Sequence, residues 1–350
     1  MKTPPLATVF LTALLAACAP AGHGAKGPCT AVSVATCQLA ADLGRGINLG
    51  NMLEAPREGD WGLKLEPAYL ELAAAHFATV RLPVRWSNHA APSADATLDE
   101  AFARQVDGAV DALLARGVHV ILNVHHYSQA MGNSRHNHEF GVDPAVVDQR
   151  LLNIWRQLGL RYRDRSPKLI FELLNEPHGR LDGEPWNRLA EAALQVVRQS
   201  NPTRAVMIGP SAYNNPTHLA RLRLPPDRNL IVAIHSYEPF AFTHQGLGHL
   251  KHRFPAGPTC CSAVQRRQII QPLALAQRWS QEHGYPLHLG EFGAAESADP
   301  ASREAYTRLV RDEAEKRGIG WTYWELASHF GVYAPATGQW VEPVRRALLD

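Results

Sequence analysis

Short apolar runs alternate with longer amphipathic stretches along most of the chain. The runs fall at 46–50, 79–84, 118–124, 169–174, 205–209, 230–237, 286–291 and 320–325. Each is bounded by polar residues, glycine or proline, as expected of strands buried on both faces. Between them, 66–76, 98–116, 146–162, 186–199, 264–283 and 302–317 carry apolar residues at helical spacing, and 218–222 and 344–349 read as shorter helices. In 98–116, Phe102, Val106, Val110, Leu113 and Leu114 share one face and Gly117 closes the helix. Strict alternation of strand and helix predicts a parallel sheet with right-handed crossovers. Eight such units predict a closed (β/α)8 barrel, an α/β fold forming a single catalytic domain over 42–350. A doubly wound sheet normally opens on a glycine-rich phosphate turn, and the chain has none after its first strand. Long connections at 50–65, 127–142 and 239–259 read as inserted loops.

In a barrel of this kind chemistry collects at the carboxyl ends of the strands. The run beginning at Leu169 ends in Asn175-Glu176-Pro177, where proline forbids further pairing in a central strand. The run 286–291 ends in Glu291. The remaining ends supply Asn51, Arg81, His125, His126, Tyr213, His235, Tyr237 and Trp324. Two carboxylates ringed by imidazoles, amides and aromatic faces suit cleavage of a glycosidic bond. One acid protonates the leaving oxygen while the other attacks the anomeric carbon, with retention when the carboxyl groups stand about 5–5.5 Å apart. Aromatic faces stack on pyranose rings, and amides and imidazoles pair the hydroxyls that burial would otherwise strand.

The motifs Gly-Ile-Asn-Leu-Gly-Asn, Val-Arg-Leu-Pro-Val-Arg-Trp, Asn-Val-His-His-Tyr, Leu-Asn-Glu-Pro-His-Gly, His-Ser-Tyr-Glu-Pro-Phe, Leu-Gly-Glu-Phe-Gly and Trp-Thr-Tyr-Trp-Glu follow one another in order, each at a strand end. Together they resemble the family 5 glycoside hydrolases, the cellulase family, from about Gly46 to Trp340. The segments 51–62 and 238–246 look closest to a bacterial endoglucanase subgroup active on glucans and mannans. The resemblance implies a retaining endo-β-1,4-glycanase with Glu176 as acid/base and Glu291 as nucleophile. It implies that Arg81 supports the nucleophile's charge, that Tyr237 orients it, and that His235 lies near the acid/base. It implies sugar contacts from Asn51, His125, His126 and Asn175, with Asn175 on the 2-hydroxyl, and a stacking platform at Trp324. Glu54, three residues past a strand end, is a weaker candidate for a sugar contact. A β-mannanase or xyloglucanase of the same family, and a non-catalytic carbohydrate-binding lipoprotein, are the alternatives.

Some residues admit plainer readings. Trp61, Trp86 and Trp186 read as lining outer subsites, with plain packing the alternative for Trp86. Glu172 shares the face of Glu176 by strand period and places a charge inside the barrel below the site. Glu325 is expected on the outer face or in a loop bond. His125-His126 and the cluster His136-Asn137-His138-Glu139 resemble metal ligands, but neither has HExxH spacing on a helix. No metal and no cofactor is expected.

Composition adds compartment and partner. Lys and Arg number 35 against 33 Asp and Glu, without a basic run, so a nucleic-acid partner is not expected. The partner expected is a β-linked polysaccharide or oligosaccharide. Lys2 followed by an apolar stretch to Ala17 reads as a signal peptide over 1–18, too short to span a bilayer. Leu15-Ala16-Ala17-Cys18 resembles a bacterial lipobox, which implies a lipid anchor at Cys18, with plain export as the alternative. Residues 19–41, small and polar, read as a tether. Cys29, Cys37, Cys260 and Cys261 are even in number, and an exported chain makes disulfides plausible, with the pairing open.

Overall fold

The computed structural model describes Met1, residues 27–132, 142–248, Leu250 and residues 252–350. Eight parallel strands close into a barrel in sequence order. They are β1 (Arg45–Asn48), β2 (Thr79–Leu82), β3 (His119–Asn123), β4 (Leu169–Glu172), β5 (Val206–Ile208), β6 (Leu230–His235), β7 (Leu287–Glu291) and β8 (Gly320–Tyr323). Outside them run α1 (Val34–Asp42), α2 (Pro67–His76), α3 (Glu100–Ala115), α4 (Val147–Tyr162), α5 (Glu184–Arg198), the single turns α6 (Ser211–Asn214) and α7 (Phe240–Thr243), then α8 (Ala263–His283), α9 (Pro300–Glu315) and α10 (Glu342–Leu349). Most strands stop short of the apolar run that announced them, because the last residues leave the ladder to build the site.

The helix starts follow local chemistry. Asp99 accepts the backbone N–H of Ala101 at 2.8 Å and caps α3. Ser262 and Gln265 form a reciprocal capping box on α8, and Gly284, at φ 80°, ends that helix.

Strand residues alternate between two cores. Val80, Leu82, Val120, Leu122, Leu169, Phe171, Val232 and Ile234 face outward and pack against the helices. Ile121, Ile170, Met207, Ile231 and Ala233 face inward and fill the lower barrel. Ala40 and Leu43 join that inner core, with Leu39 against it. Helix α1 therefore plugs the amino-terminal end of the barrel.

This corrects the expected tether over 19–41, whose later part is folded. Ser33 caps α1 by accepting Thr36 N–H, Cys29 is disulfide-bonded to Cys37, and Ala31 N–H bonds the Gly284 carbonyl. The small-residue composition of 19–41 looks like a linker, yet Leu39, Ala40 and Leu43 supply the apolar contacts that seat the plug. The second disulfide joins the neighbours Cys260 and Cys261. The signal peptide, the Cys18 anchor and the His136–Glu139 cluster lie outside the described residues. No helix among the described residues is long and apolar enough to cross a membrane.

One irregularity positions chemistry. Leu287 and Leu289 face outward, so plain alternation would also turn Glu291 outward. The β6–β7 register instead pairs Ile234 with Leu289 and His235 with Glu291, leaving Gly290 as an extra residue. This bulge re-aims Glu291 into the barrel.

Candidate active site

The inward positions at the top of the barrel are polar. Asn48, Arg81, Asn123, Glu172 and His235 are all buried. Arg81 is their hub. Its Nε and Nη2 donate to the two oxygens of Glu172 at 2.7 and 3.0 Å, and Nη1 donates to Glu291 Oε1 at 2.7 Å. Nη1 also reaches Asn48 Oδ1 at 2.9 Å, and Nη2 reaches Asn175 Oδ1 at 2.7 Å. A planar guanidinium with fixed donors suits such a node, where a point-charge ammonium would not.

Glu291 is buried at the end of β7. Its Oε2 accepts the Tyr237 hydroxyl at 2.9 Å. Burial pushes its carboxyl above the ordinary carboxylate range, and His235 and Arg81 oppose that rise. Glu176, half-buried beyond β4, has φ 50°, a left-handed conformation that costs a non-glycine residue energy. Its Oε1 lies 2.8 Å from His235 Nδ1. Burial lifts its pKa to about 7, and Arg81 only partly offsets this. One oxygen of Glu176, one of Glu291 and one His235 nitrogen all lie within 4.8 Å of one another.

His235 is held neutral, its pKa lowered by burial to about 4. Its Nε2 lies 3.3 Å from Asn214 Nδ2, an amide donor, so Nδ1 carries the proton toward Glu176. That tautomer, with Glu291 already paired to Arg81 and Tyr237, disfavours reading the three ligand atoms as a metal site.

On one flank, His125 and Trp324 lie nearly parallel with ring centres 5.8 Å apart. His126 stands edge-on to His125 at 4.4 Å and to Trp61 at 5.5 Å. Burial lowers the pKa of both histidines, that of His126 to about 3, so both act as neutral hydrogen-bonding groups. Asn51, at φ 62°, donates to both Glu325 oxygens at 3.0 and 3.1 Å. On the other flank Tyr213, itself left-handed at φ 66°, stacks on His178 at 4.1 Å. A cleft of about 1090 Å³ joins both flanks and contains Asn51, His125, His126, Asn175, Glu176, Tyr213, His235, Tyr237, Glu291 and Trp324 among its lining residues.

The ten site residues anticipated from sequence thus converge; Arg81 alone lies beneath the cleft rather than on its wall. Other expectations change. Trp86 and Trp186 are buried, and Trp186 donates to the Gly209 carbonyl, so neither lines a subsite. Trp61 is exposed beside His126. Glu172 lies inside the barrel as its strand period implied. Of the two places expected for Glu325, the loop bond is the one found and the outer face is not: β8 ends at Tyr323, and the turn that follows carries the carboxylate into the cleft floor against Asn51. Glu54 is buried, accepting the backbone N–H groups of Asn51 and Met52. It shapes the loop that carries Asn51.

Asn48 and Asn123 were missed as supports. Asn48 Nδ2 donates to the carbonyls of Gly290, Thr322 and Tyr323, and Asn123 Nδ2 reaches His125 Nδ1 and Glu172 Oε2. Their signal is a polar residue at an inward position of an otherwise apolar strand.

The model of the cellulase family, glycosyl hydrolase family 5, matches residues 45–330. Endoglucanase H of Acetivibrio thermocellus is 32% identical over 289 residues, covering 82% of this chain but 30% of that protein. Cellulase/esterase CelE of the same organism is 27% identical, over 91% of this chain and 39% of its own length. The chain thus spans well under half of each. Among solved structures, Thermotoga maritima Cel5A with mannotriose superposes with a TM-score of 0.83 at 37% identity, over 89% of this chain and 99% of that one. The cellulose synthase subunit CcsZ of Clostridioides difficile superposes with a TM-score of 0.81 at 34% identity, over 88% and 100%. With fold, site geometry and these similarities in agreement, the chain belongs to glycosyl hydrolase family 5.

Proposed function

We propose that the chain is a retaining endo-β-1,4-glucanase that also accepts mannose-containing chains. The observation that carries this is the pair Glu176 and Glu291, with oxygens within 4.8 Å of one another but in unlike surroundings. That spacing fits the short separation of retaining enzymes and leaves no room for the intervening water of an inverting one. Glu291, paired with Arg81 and Tyr237, attacks the anomeric carbon and forms a glycosyl ester. Glu176, with its pKa near 7, donates a proton to the departing oxygen. Water then attacks the same carbon, its proton passing to Glu176 and the ester bond returning its electrons to Glu291. Asn175, fixed by Arg81, is placed for the 2-hydroxyl, and Trp324 stacks on the ring before the cut.

The sugar range rests on the relatives. Thermotoga maritima Cel5A has been crystallised with cellobiose and with mannotriose. Reducing-sugar release from barley β-glucan, glucomannan, galactomannan and xyloglucan, with Glu291→Ala as the blank, tests the range. Proton NMR of the first product tests the stereochemistry. A β-anomer appearing first supports double displacement, and an α-anomer appearing first rejects it.

A further inference from the structure

Glu176, just beyond β4, and Glu291, at the end of β7, divide the ring of strand ends into two arcs. The arc β8–β1–β2–β3 carries Trp324, Asn51, Arg81 and the histidine pair. The shorter arc, β5–β6, carries the turn at Tyr213 and the insertion after Tyr237. On the proposed glucanase reading, Trp324 holds the ring before the cut, so the β5–β6 arc receives the leaving chain.

That half of the cleft does not end at the rim. Glu238 and Pro272 line the main cleft and also a second cavity of about 650 Å³ that includes Thr217, Gln268, Gln271 and Arg278. The two form one groove, running from the paired carboxylates over Pro272 and along α8. Gln268, Gln271, Leu275 and Arg278 recur at helical spacing, so they make one stripe of α8 facing the groove. Gln268, Gln271 and Arg278 are exposed.

The charge on this path is unbalanced. Among the described residues the Arg278 side chain has no ion pair or hydrogen bond, and that of Arg253, on the wall nearer the cut, has only the face of Phe254 at 5.2 Å. Glu238 is the one acid lining the second cavity, and its carboxylate accepts the Phe240 N–H at 3.2 Å. Elsewhere on the surface arginines are commonly matched, as Arg161 is by Glu100 and Asp107 and Arg198 by Asp227.

We propose that the leaving-group half of the cleft continues onto α8 and there binds β-glycan chains bearing carboxylate groups, with Arg253 and Arg278 pairing the carboxylates and Gln268 and Gln271 taking the chain's hydroxyls. Amides supply a donor and an acceptor each for hydroxyls, and an unmatched guanidinium forks onto a carboxylate. The groove thus reads substitution on the sugars that leave.

The test is kcat/KM on one soluble β-glucan and on the same polymer carboxymethylated, at low and high salt. It compares the native chain, Arg253→Ala/Arg278→Ala, and Arg104→Ala/Arg188→Ala, which removes equal charge from α3 and α5. Two exposed pairs should favour the carboxymethylated polymer about threefold to tenfold at low salt. Salt should erode that preference. The first double variant should lose both the preference and its salt dependence, and the second should keep both. A native preference ratio matched by Arg253→Ala/Arg278→Ala, with the neutral polymer still cleaved, overturns the proposal. Failure of the native chain on both polymers brings down the glucanase reading, and this one with it.

Discussion

The guanidinium of Arg81 binds Glu172 through two donors and Glu291 through a third, the shortest contact to each being 2.7 Å. One cation thus holds Glu291 in position and balances a second carboxylate fixed beneath it. Lysine keeps the charge but has no planar fork. Arg81→Lys should lower kcat about 100-fold or more, the scale of losing a preorganised electrostatic contact. It should also lower the melting temperature, because a buried carboxylate loses its partners. Steady-state kinetics on β-glucan together with thermal melts check both. Near-native values in both would show that Glu172 and Glu291 do not depend on that fork.

The rate should follow a bell-shaped pH profile. On the proposed mechanism Glu176 must be protonated to act first, so activity should be lost as pH rises through about 7. Glu291 must be ionised, so activity is lost as pH falls through its own value. Tyr237→Phe removes a donor to that carboxylate. It should shift the acidic limb upward by about half to one pH unit and leave the basic limb in place. The measurement is kcat/KM against pH for both proteins.

Glu54 makes a prediction about stability. Its pKa is raised from 4.5 to about 7, chiefly by burial. The folded protein therefore holds a proton that the unfolded chain has released across that interval. The contribution is complete below about 4.5 and is lost as pH rises through about 7, on the order of 3 kcal/mol in all. Glu54→Gln should flatten the decline of unfolding free energy between pH 5 and pH 7.5, read from urea melts at each pH. An unchanged slope would assign the proton elsewhere.

Gly290 tests the bulge. A Cβ there would meet His235 Nε2 at 2.9 Å and Cδ2 at 3.2 Å. Gly290→Ala should push the imidazole off Glu176 and cut kcat/KM about tenfold or more. The stability loss should stay in the range of overpacking, about 1–3 kcal/mol. Activity matching the native protein would mean that the ring has room to move.

The barrel and its chemical rim were legible because strands buried on both faces leave plain apolar runs, and each run ends where polar chemistry begins. The pattern was silent where a residue's direction is set by something other than strand period. Glu325 follows β8 rather than belonging to it, so alternation could not place it on the cleft floor. Glu291 itself points inward only because Gly290 breaks the period, and its motif, not its parity, identified it. Trp86 and Trp186 show the reverse limit: tryptophan near a strand end or a helix start serves packing as readily as sugar stacking. The plug α1 was hidden because 19–41 as a whole is small and polar, and the few apolar residues that seat it, Leu39, Ala40 and Leu43, are too short a run to announce a helix.

That plug has a consequence for orientation. Helix α1 closes the end of the barrel opposite the cleft, and the chain enters it from Gly27 and the Cys29–Cys37 loop. Were the chain held at a surface close to Gly27, that surface would face the sealed end. The cleft then looks away from that surface, and the groove along α8 leads outward from its rim. A polymer arriving from the surroundings would then meet the open rim first, with the sealed end behind it.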